Sequence, residues 1–371
     1  MKLGIDIRDL RTSTTGQKTY LEELCLAFKK QSGKDLQICL LDTSIPAFRG
    51  NSKFIKILEQ INLHFWKQCV LPVKAALSGC DVLLCTDYFV PYLHLGYKTV
   101  TVFHDAFFFE NKEHYHPLFI WLFKHIALPS AKRCAYIIVP SDYAKQQVIR
   151  YYTCLPVENI ITIHEGPKTL AIGEFITATD SILDRLHLSD QPYLLHVGVM
   201  NKRKNIPFLL RSFAKFLEKG YQYKLVLAGS LQTSQYISDA QNILDTIKAY
   251  HLEEEVIFTG YLSNEELSLI YQHAAMYVFP SLNEGFGLPV LEAFRFSLPV
   301  LVANNTCLPE IGGDAVLSFD PQNEADLLAA LSMVADNPSV RDQLSQQGKK
   351  RLQDFSWDET AKKIIRLLSG R

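Results

Sequence analysis

What this chain lacks narrows its function before any motif is read. No apolar run approaches eighteen residues, so the sequence offers no membrane-spanning helix. The opening MKLGIDIRDL has no apolar stretch of secretory-leader length. Net charge is −1, without the basic excess that a nucleic-acid partner demands. The eight cysteines are Cys25, Cys39, Cys69, Cys80, Cys85, Cys134, Cys154 and Cys307; they form no C-x-x-C pair and sit at no metal-finger spacing from a histidine. Most lie inside apolar runs, Cys39 in LQICLLD and Cys85 in DVLLCTD. They read as reduced, buried small hydrophobes of a cytoplasmic protein. No G-x-G-x-x-G follows the first strand, which argues against a nicotinamide dehydrogenase. There is no low-complexity tract and no repeat of 20–50 residues.

What is present describes a globular enzyme. The 371 residues are 48% hydrophobic and 21% charged, and the length favours two domains over one. Short apolar runs alternate with amphipathic stretches throughout. They predict strands at 2–7, 36–41, 82–85, 99–103, 136–139 and 160–163. A second series follows at 193–197, 224–228, 256–259, 276–279, 300–303 and 315–319. Continuous apolar strands followed by helices indicate parallel sheets covered on both faces, and two such series indicate two Rossmann-like domains. The break falls around 168–192, where GPKTLAIGEFITATD interrupts the strand series.

The densest chemistry lies in SLNEGFGLPVLEAFRFSLPVLVANNTCLPE, residues 281–310. Two carboxylates, Glu284 and Glu292, are separated by seven residues. Gly285, Phe286 and Gly287 stand between them, and Leu288 and Pro289 open a helix, since proline suits the first turn. The free N–H groups and positive dipole end of that helix favour a phosphate, and the glycines allow close approach. Carboxylates accept hydrogen bonds from vicinal hydroxyls. A carboxylate on either side of a phosphate site therefore points to a ligand with hydroxyls at both ends, a sugar nucleotide.

The segment resembles the donor-site motif of retaining family-4 glycosyltransferases, in which two glutamates flank seven residues. Other stretches resemble the family in the same order: KLGIDIRDLRTSTTGQKTYLEELCLAF, VTVFHDAFFF, IIVPSDYAKQQVI, YLLHVGVMNKRKNIPFLLRSF and VIFTGYLSNEELSLIYQHAAMYVFPS. Together they span almost the whole chain. The resemblance implies the GT-B architecture, two Rossmann-like domains with parallel sheets facing across a donor/acceptor cleft. An acceptor-side domain would comprise 1–170 with a returning C-terminal helix at 355–371, and a nucleotide-sugar domain 185–354.

The resemblance also distributes roles. Glu284 would face the hydroxyls of the donor sugar and Glu292 the ribose. Arg203 and Lys204, in NKRKN after the strand 193–197, would neutralise the departing diphosphate, and Gly198, which follows that strand, would lie against the donor. Lys204 reads as a loop lysine with few packing partners. Many relatives carry an arginine directly after that glycine, where this chain has Val199. Gly16, in the turn from Thr15 to Lys18, would approach the donor phosphates, and Lys18 stands where relatives often have a second glycine. His104 would lie beside the reacting carbon, with Asp105 shaping the pocket. Tyr261 and Leu262 would frame the base. Glu310 falls in a loop after a strand, near the nucleotide. Ser141 reads only as a helix N-cap.

The implied reaction transfers a hexose from a nucleoside-diphosphate sugar to a glycan or lipid-linked glycan hydroxyl, with retention and without a metal or other cofactor. No Asp-x-Asp pair occupies a donor loop; DVLLCTD is too widely spaced. The branch resembled is rich in enzymes of bacterial surface-polysaccharide and lipopolysaccharide assembly, mannosyltransferases among them. That makes GDP-mannose the first donor, with UDP-hexoses, UDP-N-acetylhexosamines, GDP-fucose and dTDP-rhamnose open. A catalytically silent scaffold would keep the fold but lose Glu284 or the basic pair, and all are present. A glycan phosphorylase would need a pyridoxal lysine site and a longer chain. Two aromatic and basic stretches, 53–74 and 107–133, leave open a peripheral contact with the inner membrane surface. The simpler reading of both is ordinary helix packing, with Lys67, Lys74 and Lys124 reaching outward.

Overall fold

The computed structural model describes residues 1–13, 16–48, 53–107, 115–170, 182–231 and 238–370. Thr15, residues 108–114 of the second aromatic stretch and residues 171–181 of the break lie outside them. The chain forms two compact units, 1–166 with 356–371, and 167–355.

Unit 1 is built on six parallel strands: β1 (Lys2–Asp6), β2 (Gln37–Leu41), β3 (Val82–Cys85), β4 (Lys98–Val102), β5 (Tyr136–Val139) and β6 (Ile160–Thr162). Their order is β2-β1-β3-β4-β5-β6. β3 is buried along its whole length, as its run of Val, Leu and Cys requires of a strand covered on both faces. The chain reverses its direction of strand addition between β1 and β3. An open parallel sheet of this kind presents its crevice at the carboxyl ends on either side of such a switch.

The helix Gly16–Gln31 buries Tyr20, Leu21, Leu24, Cys25, Ala27 and Phe28, a stripe at helical spacing. The helix Trp357–Ser369 packs beside it and returns the end of the chain to unit 1. Trp357 meets Tyr20 edge-on with ring centroids 5.2 Å apart, Thr360 donates to the His164 carbonyl at 2.7 Å, and Lys30 pairs with Asp358 at 3.3 Å.

The first aromatic and basic stretch departs from the packing expected of it. It runs as a helix Lys53–Phe65, a π-helical turn Trp66–Val70 and a helix Leu71–Leu77. Lys67 does not reach outward. It is completely buried, with Nζ 2.6 Å from both Asp6 and Asp87 and 3.9 Å from Asp9. Asp6 ends β1 and Asp87 follows β3, so Lys67 fills the switch point of this sheet. Meanwhile Phe54, Ile57, Ile61 and Phe65 lie on one helical face and are each at least half exposed.

Unit 2 holds β7 (Tyr193–Val197), β8 (Lys224–Ala228), β9 (Val256–Gly260), β10 (Met276–Phe279), β11 (Val300–Ala303) and β12 (Val316–Phe319). All are parallel, in the order β12-β11-β10-β7-β8-β9. This is the strand order of a Rossmann sheet, with its switch point between β7 and β10. The helix Ile206–Glu218 is apolar enough to bury nine of its residues. The helix Asn264–His273 opens with a capping box between Ser263 and Glu266.

Candidate active site

Of the residues singled out in unit 2, Gly198, Arg203, Lys204 and Glu284 gather at the β7/β10 switch point. After β7 the chain passes Gly198 and makes a single 3-10 turn, Lys202–Lys204, capped by Asn201, whose Oδ1 accepts from the Arg203 N–H at 3.1 Å. Asn205 then takes a left-handed conformation (φ 55°), which asparagine tolerates, and the helix Ile206–Glu218 begins. After β10 the chain reaches Glu284. The two loops are tied together: the Leu282 N–H donates to the Arg203 carbonyl at 2.8 Å, and Arg203 donates to the Asn283 carbonyl at 3.2 Å.

Across this seam Lys204 Nζ donates to Glu284 Oε1 at 2.7 Å, and Arg203 lies 3.7 Å from Glu284 Oε2. Lys204 has packing partners after all. It is 7% exposed, and its ammonium lies 4.5 Å from the centroid of Phe279. Its stem passes 3.3 Å from where a Gly198 side chain would begin, so the bare backbone there makes room for it. Burial pulls the Lys204 pKa down, Glu284 opposes this, and the result lies below the ordinary lysine value. Burial would raise Glu284, but Lys204 and Arg203 outweigh it and hold the carboxylate below its usual range. Two cations thus converge on one carboxylate beside a helix start. An incoming diphosphate would find positive charge already in place.

Gly287 caps the helix Leu288–Arg295 at φ 98°, in the left-handed region, and Pro289 sits in the first turn. Gly285 and Leu288 are half-buried, and Phe286 is buried edge-on to Phe355 at 5.9 Å. Glu292 is buried in the second turn of this helix and accepts from the Tyr271 hydroxyl at 2.8 Å. Burial raises its pKa, against Tyr271 and nearby cations. Tyr261 and Leu262 follow β9, and Tyr261 is 83% exposed. Glu310 lies in a short helix, Leu308–Gly312, rather than in a loop.

Unit 1 holds the remaining residues. His104 and Asp105 follow β4. His104 Nε2 is 2.9 Å from the Thr86 carbonyl, Nδ1 is 3.6 Å from Glu165, and Tyr20 stands edge-on at 4.9 Å. Asp105 accepts from the Tyr88 hydroxyl at 2.8 Å. Gly16 is the first residue of its helix rather than part of a loop, and Lys18, one turn in, lies 3.7 Å from Glu22. Ser141 is an N-cap, accepting from Ala144 N–H at 3.0 Å.

Several partners escaped the sequence reading. Tyr271, Phe279 and Glu165 carry no local signal beyond their place near strand ends or on a buried helix face. His196 did carry one, as a polar residue inside the apolar strand YLLHV. It is fully buried; Nδ1 donates to the Val278 carbonyl at 3.0 Å, and Nε2 has no hydrogen-bond partner among the described residues.

Comparison with known proteins identifies the family. Residues 180–351 match the family model of glycosyl transferases group 1, and residues 14–168 that of glycosyltransferase family 4. The O-antigen chain mannosyltransferase B of Escherichia coli is 30% identical over 289 residues, 75% of this chain and 71% of that protein. The serotype-specific mannosyltransferase WbdA of Escherichia coli is 31% identical over 278 residues, 73% of this chain but only 33% of that protein. Among solved structures, sucrose-phosphate synthase from Thermosynechococcus elongatus superposes with a TM-score of 0.75 at 18% identity, over 100% of this chain and 98% of that one. WaaG, a glycosyltransferase involved in lipopolysaccharide biosynthesis, superposes with a TM-score of 0.69 at 12% identity, over the whole of both chains. The fold and the family models define a glycosyltransferase of the GT-B fold. The chain belongs to the family-4 glycosyltransferases, as a mannosyltransferase-like member.

Proposed function

We propose that this enzyme moves a hexose, mannose from GDP-mannose in the first instance, to a hydroxyl of a glycan or lipid-linked glycan during surface-polysaccharide assembly. The observation that carries the reading is the Lys204–Glu284 pair with Arg203 beside it, at the switch point of unit 2. In the resting enzyme Glu284 neutralises these cations. When a nucleoside-diphosphate sugar binds, the diphosphate takes over Lys204 and Arg203, which frees Glu284 for the sugar hydroxyls. Charge developing on the leaving diphosphate meets a site already polarised to receive it. The leaving diphosphate itself takes the acceptor proton, the anomeric configuration is retained, and no metal takes part. Glu292 binds the ribose. The donor-domain assignment goes to unit 2 and the acceptor side to unit 1. The named relatives, an O-antigen chain mannosyltransferase and a serotype-specific mannosyltransferase, support the choice of sugar and of pathway class.

We place the enzyme in the cytoplasm, at the inner face of the cell membrane. Among the described residues no helix is long and apolar enough to cross a membrane. The exposed stripe Phe54, Ile57, Ile61 and Phe65 supports a peripheral contact.

The test is a donor-hydrolysis and transfer screen in EDTA across GDP-mannose, UDP-glucose, UDP-N-acetylglucosamine, GDP-fucose and dTDP-rhamnose, with the anomeric configuration read by NMR. One donor turned over with retention, and a loss of two or more powers of ten in Lys204→Met, is the expected result. Turnover that needs Mn²⁺ would refute the metal-free scheme. No turnover of any donor would favour a silent scaffold.

A further inference from the structure

The ring of His104 offers both nitrogens to acceptors. Nε2 lies 2.9 Å from the Thr86 carbonyl oxygen, which can only accept, so Nε2 carries a hydrogen. Nδ1 faces Oε1 of Glu165 at 3.6 Å. Glu165, three residues beyond the end of β6, is 3% exposed. A neutral ring with its hydrogen on Nε2 would turn the Nδ1 lone pair toward a carboxylate oxygen. The geometry is satisfied when the pair holds one more proton and both ring nitrogens donate. The surroundings agree. Tyr20, from the helix Gly16–Gln31, contributes an aromatic edge, and Thr86, after β3, contributes a carbonyl. The charged groups acting on the ring are carboxylates, Glu165 and the adjacent Asp105. Burial disfavours a charged ring, but these groups outweigh it and raise the His104 pKa above its ordinary value.

We propose that Glu165 is a positioning residue that locks His104 as an imidazolium, so that His104 serves the transfer reaction as a fixed positive charge and not as a general base. The proposal rests on the family resemblance, by which His104 would lie beside the reacting carbon. Nε2–H is held by the Thr86 carbonyl and Nδ1 faces the Glu165 carboxylate at ion-pair distance, so a ring protonated on both nitrogens has no lone pair with which to deprotonate an acceptor hydroxyl. The carboxylate is the deeper partner and the ring the more exposed, at 4% and 21% of their side chains, so the positive end of the pair faces outward. A positive end suits an anionic partner.

The test is proton–nitrogen correlation spectroscopy of the ring nitrogens, with His104 assigned among the eleven histidines by its loss in His104→Asn. In the parent, both His104 nitrogens should be protonated at pH 7. In Glu165→Gln the titration midpoint should fall by about one pH unit or more. The alkaline limb of kcat should move with it, leaving the donor KM little changed, and Glu165→Asp should restore both. A single neutral tautomer in the parent at pH 7 overturns the proposal, and that measurement needs no variant to fold. So does a midpoint that Glu165→Gln leaves in place. A His104→Gln enzyme with undiminished transfer would overturn the place given to His104 in the donor site, and with it the catalytic part of the proposal, while the ring titration would still report the pairing.

Discussion

The two glutamates that look alike in the sequence sit in different chemistry. Glu284 faces two cations and is held ionised, whereas Glu292 lies under Tyr271 with its pKa raised by burial. Glu292→Gln is expected to weaken nucleotide binding, because the ribose contact proposed for it would be made equally in ground and transition states. Glu284→Gln should chiefly lower turnover, because in the proposed scheme its partner is the sugar that moves. Calorimetric nucleotide affinity beside steady-state rates separates the two, and equal loss of affinity with no excess loss of rate in Glu284→Gln would erase the distinction. His196 supplies a different prediction. Burial, with Lys204 adding to it, pushes its pKa down from 6.5 to about 4. Between those values the unfolded chain binds a proton that the folded protein refuses, so stability falls as pH drops through the window, by about 3 kcal/mol at most. Asp87, raised to about 7 by burial, acts with the opposite sign above its unfolded value of 3.8. The measured quantity is thus the difference between parent and His196→Phe in denaturant unfolding from pH 7 to pH 4. That difference should change by the same few kcal/mol, and a pH-independent difference would count against a neutral buried ring.

At the scale of elements, every strand expected from apolar runs exists, displaced by at most a residue or two at its ends. Buried parallel strands announce themselves because both faces are apolar, so the signal is local. What the sequence hid were contacts between distant segments. Lys67 sits in a helical stretch whose spacing suggests a snorkelling lysine, yet its partners Asp6, Asp9 and Asp87 come from strand ends elsewhere. The π-helical turn Trp66–Val70 turns it inward, and Trp66 secures the arrangement by donating to Asp6 at 3.0 Å. Lys67→Met should cost roughly 3–5 kcal/mol in chemical denaturation, because three carboxylates lose their cation. A loss below about 1 kcal/mol would mean that water reaches the cluster. The neighbouring helix Lys53–Phe65 carries the exposed stripe. Ile57→Ser with Ile61→Ser should reduce sedimentation with anionic vesicles severalfold while leaving turnover of a soluble acceptor unchanged. Unaltered vesicle binding would remove this face from the membrane reading.

For the whole molecule, the two strand series were readable because each repeats the same βα rhythm, and the break between them shows as a lapse in that rhythm. The return of the last helix to unit 1 was expected from family resemblance alone, since an amphipathic stripe does not say which surface it covers. Truncation after residue 355 should therefore abolish the cooperative calorimetric unfolding of unit 1 and preserve that of unit 2; an unchanged thermogram would contradict the assignment of the helix. The return has a further consequence, in time rather than in space. Gly166 and Trp357, where the chain leaves unit 1 and rejoins it, touch so closely that a Cβ on Gly166 would lie 2.5 Å from the Trp357 nitrogen. Unit 2 is thus an insertion of 189 residues, 355 minus 166, into unit 1. At about 5–20 residues per second, a ribosome takes roughly 10–40 s to make it. For that interval the nascent first unit waits with the helix Gly16–Gln31 missing its partner helix, open to chaperones, while the second unit, synthesised later, is completed first.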